Sequence, residues 1–335
     1  MSMRLIRFGA VVGLFAVLFL AATGSTAAQA PVLPGRIYQL DKSHSMLSFT
    51  ARHAGFARVR GAIKDYRVAA YMVDNDLTRS SVTAIIDVSS IDTGHAGRDG
   101  ILRDEFFKVS EFPTIRFQSQ SVERTADGYL MTGNLTIRNV TKSVRLPMTM
   151  VAMGPDQFEH HRAVFETAIT VNRKDYGVIY GNEFWDKIAS DDIRIEIEVS
   201  VRHYNALNTI FPWRNSVGKV LLDAAQNEGP DAVRARATRL WKENREEYNF
   251  GLSQFYRAGV GLAQQGKFDA AVAVLEAGLE IQSSATPQDA ADMHVTLAEV
   301  HAQAGRRALA AQHITRALSL DPANPAALEL ARYLK

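Results

Sequence analysis

Cysteine is absent from the 335-residue chain. That excludes disulfides, thiolate metal sites, a cysteine nucleophile and a lipid-modified N-terminal cysteine. A surplus of charge is lacking too: 38 Lys and Arg against 36 Asp and Glu leave a formal +2, and the basic residues are scattered, so there is no nucleic-acid footprint. There is no Gly-x-Ser-x-Gly nucleophile elbow and no glycine-rich loop ahead of a helix to cradle phosphate. What the N-terminus does have is a charged start at Arg4 and Arg7, an apolar run from Phe8 to Ala22 and a small-residue stretch to Ala30. This is the layout of a secretory signal peptide over residues 1–28, cleaved after Ala27 or Ala28 because Pro31 is a poor first residue. The apolar core is a little short of the roughly 20 residues that an uncleaved anchor needs. The expected location is periplasmic or secreted, where disulfides are permitted but not required.

Residues 36–204 are dominated by period-two alternation. Ile193–Val201 places isoleucine and valine on one face and charge on the other, and Val82, Ala84, Ile86 and Val88 share a face in the same way. Ser45–His53, Leu130–Ile137 and Phe165–Val171 are also strand-like, with Gly, Asp, Asn and Pro between segments. So many short strands predict an all-β antiparallel barrel, because one flat sheet of this length would have to close or fold over. Gly94–Phe107 breaks the pattern and suits a short helix across one end.

Near Tyr204 the period changes to that of amphipathic helices. Alanine-rich segments at 217–226, 231–244, 252–265, 268–281, 289–304, 307–320 and 325–334 are punctuated by Gly266, Pro287, Gly305 and Pro322. Ala258, Gly259, Leu262, Gly266, Ala271, Leu275 and Gly278 align with Leu297, Ala298, His301, Gly305, Ala310, Ile314 and Ala317. The small residues are where two helices of a unit touch closely. This pattern resembles the tetratricopeptide repeat and predicts an all-α solenoid over residues 215–335, with Val217–Asn244 as a degenerate unit and the last helix as a cap. Such solenoids use extended concave surfaces for binding, so a protein partner is expected in a groove that Arg257, Gln264, Gln265 and His301 would line if first-helix faces form it.

The strand half carries ordered polar signatures at its turns. They are Asp41-Lys-Ser-His44-Ser45, Ile86-Asp-Val-Ser-Ser-Ile-Asp92-Thr93, Phe106-Phe107 with Phe112-Pro-Thr-Ile-Arg-Phe117, Leu135 to Pro147, and Asn172-Arg-Lys-Asp-Tyr-Gly177. Together they resemble the YceI-like family, lipocalin-fold domains associated with polyisoprenoid binding. The resemblance implies an eight-stranded lipocalin-like barrel that holds an isoprenoid lipid or the tail of a quinone. One departure is Ile101, which stands where the family's Arg-Asp-x-His-Leu helix often has histidine, so the head group is not carried over. Each buried CH₂ of a prenyl tail would contribute about 0.8 kcal/mol.

The candidate lining residues are Phe49, Ile86, Val88, Phe106, Ile115, Phe117, Leu135, Ile137, Ile169, Ile195 and Ile197. Parity separates two faces but does not distinguish a ligand-bearing lumen from a solid core. His44 and Asp41 are head-group candidates, although a turn held by Asp41, Ser43 and Ser45 is the blander reading. No catalytic residue, metal or cofactor is expected beyond the lipid itself, and transient membrane contact would follow from a lipid cargo. Two rivals stand: a protein–protein scaffold with a solidly packed barrel, and an enzyme acting on an isoprenoid with His44 or Asp175 as acid or base.

Overall fold

A computed structural model of the chain describes residues 33–157, 160–203, 215–282 and 285–334. The segment read as a signal peptide lies outside them. Nine strands follow one another antiparallel: β1 (Arg36–Leu40), β2 (Met46–His53), β3 (Ala57–Met72), β4 (Ser81–Asp92), β5 (Thr114–Thr125), β6 (Gly128–Ile137), β7 (Val140–Pro155), β8 (His161–Asn172) and β9 (Asp192–His203). Each pairs with its neighbour from β2 to β9, and β9 pairs back onto β2, so the sheet closes. Both β1 and β2 lie between β3 and β9. They are the two halves of one stave, broken by a single turn at Lys42–His44, so the barrel has eight staves. Closure removes the free edges that an open sheet would expose. Register shifts in the long ladders, between Ile63 and Asp65, Ser119 and Ser121, and Met150 and Ala152, supply the local bends that a closed sheet needs.

The predicted interruption between β4 and β5 is α1 (Ala96–Ile101), continued as a wider π-type turn over Leu102–Phe107. It is pinned to the end of β4 by Asp99, which is buried and accepts the Thr93 backbone N–H at 2.9 Å, while Arg98 donates to the Thr93 hydroxyl at 2.7 Å. A second short helix, α2 (Glu183–Asp186), sits in the β8–β9 connection at the same end of the barrel.

The helical region follows as α3 (Val217–Asn227), α4 (Pro230–Glu243), α5 (Leu252–Gln264), α6 (Phe268–Ile281), α7 (Pro287–Gln303), α8 (Arg307–Leu320) and α9 (Pro325–Leu334). Capping chemistry explains several starts. Ser216 accepts from Lys219 at the head of α3, and Thr286 with Asp289 forms a capping box before the Pro287 that opens α7. The helices pack in antiparallel pairs whose approach depends on missing side chains. A Cβ on Gly259 would meet Leu275, and one on Gly278 would meet Phe255. Leu262, Leu275, Leu297 and Ala310 are fully buried in these contacts.

The two regions share a core. Ile37, Ala69, Tyr71 and Val73 of the barrel wall pack with Val295, Ala298, Ala327 and Leu330 of α7 and α9. Glu329 of α9 is completely buried: it accepts from the Ser81 hydroxyl and from the Thr83 hydroxyl at 2.6 Å, and Arg332 pairs with it at 3.0 Å. Tyr333 stacks on Tyr71 with ring centroids 3.9 Å apart. Arg67 pairs with Asp321 in the turn before α9, and the Ile37 N–H donates to Glu299 at 3.1 Å.

Candidate functional site

Alternation turns one face of every stave inward, and the inward faces enclose a cavity of about 310 Å³. Ten of the eleven lining candidates, Phe49, Ile86, Phe106, Ile115, Phe117, Leu135, Ile137, Ile169, Ile195 and Ile197, lie on its wall. Val88 does not. It is buried in the same cluster, but the strand is irregular between Asp87 and Ile91, where the Ser90 hydroxyl donates to the Asp87 carbonyl, and Ile91 takes the inward place. Ala84, Met72, Leu77, Tyr129, Met131, Leu146, Met148, Phe165 and Thr167 also line the cavity. Period two in β6, β7 and β8 carries most of these, whereas Leu77 arrives from a turn and has no periodic signal.

The two ends of the lumen differ. At the end bearing the β3–β4 and β7–β8 connections, Tyr38, Met72, Leu77, Ala163 and Val201 are tightly packed, and the Tyr38 hydroxyl donates to Asp74 at 2.7 Å. Burial, reinforced by Asp74, raises the Tyr38 pKa far above the usual phenol range. The opposite end is roofed by the π-type turn, which brings Leu102, Phe106 and Phe107 over the cavity, and by the β8–β9 connection with Val178 and Ala189.

Arg173 organises that roof. It is buried and donates to the carbonyls of Val178 (2.8 Å), Asp186 (2.8 Å), Ala189 (3.2 Å) and Ser190 (3.1 Å), and to the carboxylates of Asp186 (2.6 Å) and Asp191 (3.1 Å). Its guanidinium lies 5.4 Å from the centroid of the Phe106 ring. Burial alone would push the Asp186 carboxyl up, but the Arg173 hydrogen bond and the Tyr180 N–H outweigh it and hold the pKa at about 2. With its donors engaged in this way, Arg173 is a roof tie, and Gly177 closes its turn at φ +66°.

The head-group candidates stand elsewhere. Asp41 is buried in the break between β1 and β2, where it accepts from Ser43 at 2.7 Å and from Arg162, and pairs with His44 at 2.9 Å. Burial opposes its ionisation, and these partners together still lower its pKa below the carboxylate range. Ser45 donates to the Asp41 carbonyl at 2.9 Å and accepts from the Ser200 N–H at 2.9 Å. Neither Asp41 nor His44 is part of the cavity lining. Asp175, the other acid–base candidate, is exposed and pairs with Lys142 at 3.1 Å, also off the lining.

In the helical region His301 is buried, not displayed in a groove. Its ring stacks on His313 at 5.2 Å, and its Nδ1 has no partner among the described residues. His294 faces the same His313, Nδ1 to Nδ1 at 3.0 Å. Burial, then the neighbouring His313, pushes both His294 and His301 down to about 4. The repeat alignment held the clue: His301 stands at the position of Leu262, which is fully buried.

Comparisons with known proteins fall on the strand half of the chain. The YceI-like domain model matches residues 38–201. A UPF0312 protein of Yersinia pestis (strain Pestoides F) is 33% identical over 144 residues, which are 42% of this chain and 75% of that protein. A UPF0312 protein of Pectobacterium atrosepticum is 33% identical over 171 residues, 50% of this chain and 85% of that one. Among solved structures, Burkholderia cenocepacia BcnA is similar at 22% identity and a TM-score of 0.43, covering 48% of this chain and 98% of its own. A polyisoprenoid binding domain from Saccharophagus degradans implicated in plant cell wall breakdown is similar at 13% identity and a TM-score of 0.41, covering 52% and 100%. With 33% identity over the aligned residues to relatives matched over 75% and 85% of their length, and the domain model matching residues 38–201, the chain belongs to the YceI-like family.

Proposed function

We propose that the protein is an exported carrier or store for an isoprenoid lipid or the prenyl tail of a quinone, and that it binds this cargo without turning it over. The observation that carries the reading is the lumen: a closed barrel whose inward faces are almost wholly aliphatic and aromatic around a cavity of about 310 Å³. Apolar transfer at about 25 cal/mol per Å² of buried surface gives such a wall a large gross affinity for a long hydrocarbon, against which ordering costs are set. The acid–base candidates His44 and Asp175 lie off that wall, which favours binding over reaction. Organic extraction of protein purified from a quinone-producing host, followed by mass spectrometry, should release an isoprenoid; an empty barrel would overturn the reading.

Transient contact with a membrane belongs to the same proposal. Phe56, Ile101, Ile179, Phe184 and Trp185 are exposed large apolar side chains on three connections at the roofed end of the barrel. A rim of this kind beside the lumen would let an insoluble cargo pass without crossing water.

For the helical region the proposal is a tetratricopeptide-like docking unit whose partner binds on α3 through α6. Here the sequence expectation is narrowed. Helix α7 and the capping helix α9 meet the barrel wall, and His301 is interior, so the groove candidates reduce to Arg257, Gln264 and Gln265. Loss of pull-down on changing all three, with the lipid retained, would support that division; unaltered capture would place the partner elsewhere.

A further inference from the structure

The hairpin that joins β2 to β3 carries charge that no described residue offsets. Arg52 and Arg58 stand directly opposite each other in the ladder, and Arg60, two residues further on, faces Thr50. Like charges set opposite one another weaken a strand pair. A nearby carboxylate would relieve that cost, yet no Asp or Glu occurs between Asp41 and Asp65. All three arginines are exposed, and none is paired with a carboxylate among the described residues; Arg52 donates to the Phe56 carbonyl at 3.5 Å. Phe56, in the turn between the two strands, is 87% exposed.

Backbone bonds tie this tip to the β8–β9 connection. The Ala54 N–H donates to the Ile188 carbonyl at 2.6 Å, the Arg52 N–H to the Ser190 hydroxyl at 2.9 Å, and the Ser190 N–H to the Arg52 carbonyl at 2.9 Å. That connection bears the exposed Phe184 and Trp185 of α2. Its acidic residues are already taken: Asp175 by Lys142, Glu183 by Lys187, and Asp186 and Asp191 by Arg173 and Lys174. Asp104 and Glu105 belong to a different connection, the π-type turn, so the unbalanced positive charge is local to the hairpin.

We infer that this hairpin docks the barrel on an anionic bilayer, with Phe56 inserted among the lipids and Arg52, Arg58 and Arg60 on phospholipid phosphates. Charge complementarity selects the occupant: an apolar tip ringed by uncompensated cations fits a negatively charged interface. The inference rests on the membrane contact of the proposed function and names the lipid class that the membrane must carry. An arginine that meets a phosphate loses the repulsion that it suffers in the free hairpin.

The test uses the protein as its host processes it, floated with vesicles of phosphatidylcholine alone or of phosphatidylcholine with about 30% phosphatidylglycerol. The wild type should prefer the anionic vesicles by about a hundredfold, since each arginine near such a surface contributes about fivefold, and added salt should erase the gain. Changing Arg52→Gln, Arg58→Gln and Arg60→Gln together should abolish the preference. That variant should melt no lower than the wild type, because a like-charge pair is gone. Phe56→Ser should weaken binding to both vesicles by about tenfold and keep the preference. A preference that survives the triple change overturns the hairpin as the docking site. Equal wild-type binding to both vesicles overturns the anionic lipid while membrane contact stands. Binding to neither removes membrane contact and the inference with it, and leaves the hairpin to an acidic protein surface. Organic extraction of the same samples reads the lumen separately, so an empty barrel that still docks sinks the carrier alone.

Discussion

The barrel and the helical region both bury apolar side chains and end with opposite interiors. In the barrel, large residues such as Phe117, Met131 and Ile195 line a space that they do not fill. In the helices, Ala271, Ala310 and Ala317 are fully buried, and Gly259 and Gly278 let Leu275 and Phe255 come into contact. The difference is geometric. Hydrogen bonding between eight tilted staves sets the radius of the barrel, and its side chains cannot draw the walls together. Helix axes have no such constraint and close until side chains meet. A hollow core therefore needs no unusual composition, only a backbone that holds itself open.

Acid should separate the two regions most strongly. His294 and His301 have folded pKa values of about 4, below the unfolded value near 6.5, so they are neutral in the fold. The stability they contribute is present above pH 6.5 and lost as pH falls towards 4. Around them, His313 faces both rings, Arg316 and Arg306 oppose protonation, and Asp269 favours it. Asp186 in the barrel is depressed to about 2, so its contribution is present above about 3.8 and lost only as pH falls through 2. Circular dichroism should show helix loss before sheet loss on acidification, by several kcal/mol in stability at pH 4 for the two histidines together. His301→Leu should flatten the first step, and a single step common to both regions would break the comparison.

Removing the roof tie ranks next. Arg173→Ala leaves the buried Asp186 carboxylate with Lys174, at 3.4 Å, as its only cation and takes the donor from four roof carbonyls, at a cost of about 3–5 kcal/mol. Urea melts should show this as a fall in midpoint, with leakage of bound lipid before unfolding. A loss below about 1 kcal/mol would mean that the roof stands on its backbone contacts alone.

Equal truncations in the two interiors give the most direct contrast. Leu275→Ala in the closed helical core should cost about 2–5 kcal/mol. Ile195→Ala faces space already open and should sit at the lower edge of that range or beneath it, near 1–2 kcal/mol. Equal losses would indicate that the lumen is as solid as the helical core.

The smallest effect on stability concerns the rim. Phe184→Ser with Trp185→Ser should change stability by no more than about 0.5 kcal/mol, because both side chains are exposed. Transfer of a prenol between vesicles and the protein should nevertheless slow several-fold. An unchanged rate would remove the membrane from the proposal.

Much of this molecule follows from local pattern. The alternation in Ile193–Val201 places β9 with its isoleucines inward, and the helix boundaries at Gly266, Pro287 and Gly305 are those of the structure. Backbone period and turn chemistry are short-range, so one strand or one helix displays them. Val88 shows the limit: its parity is that of Ile86, but the irregular stretch after Asp87 moves it off the wall, and such a shift is set by the facing strand.

By itself, the sequence determined an alternating β half, a helical half with paired units, and a set of apolar faces. Tertiary contacts alone settle that the barrel is hollow, that Arg173 finds Asp186 across its own loop, that Glu329 is buried against Ser81 and Thr83, and that His301 turns inward against His313. Each of these depends on which residues distant in the chain are brought within a few ångströms, and on whether a hydrogen-bonded wall or a collapsing helix pair surrounds them. No periodicity along the chain encodes that distance.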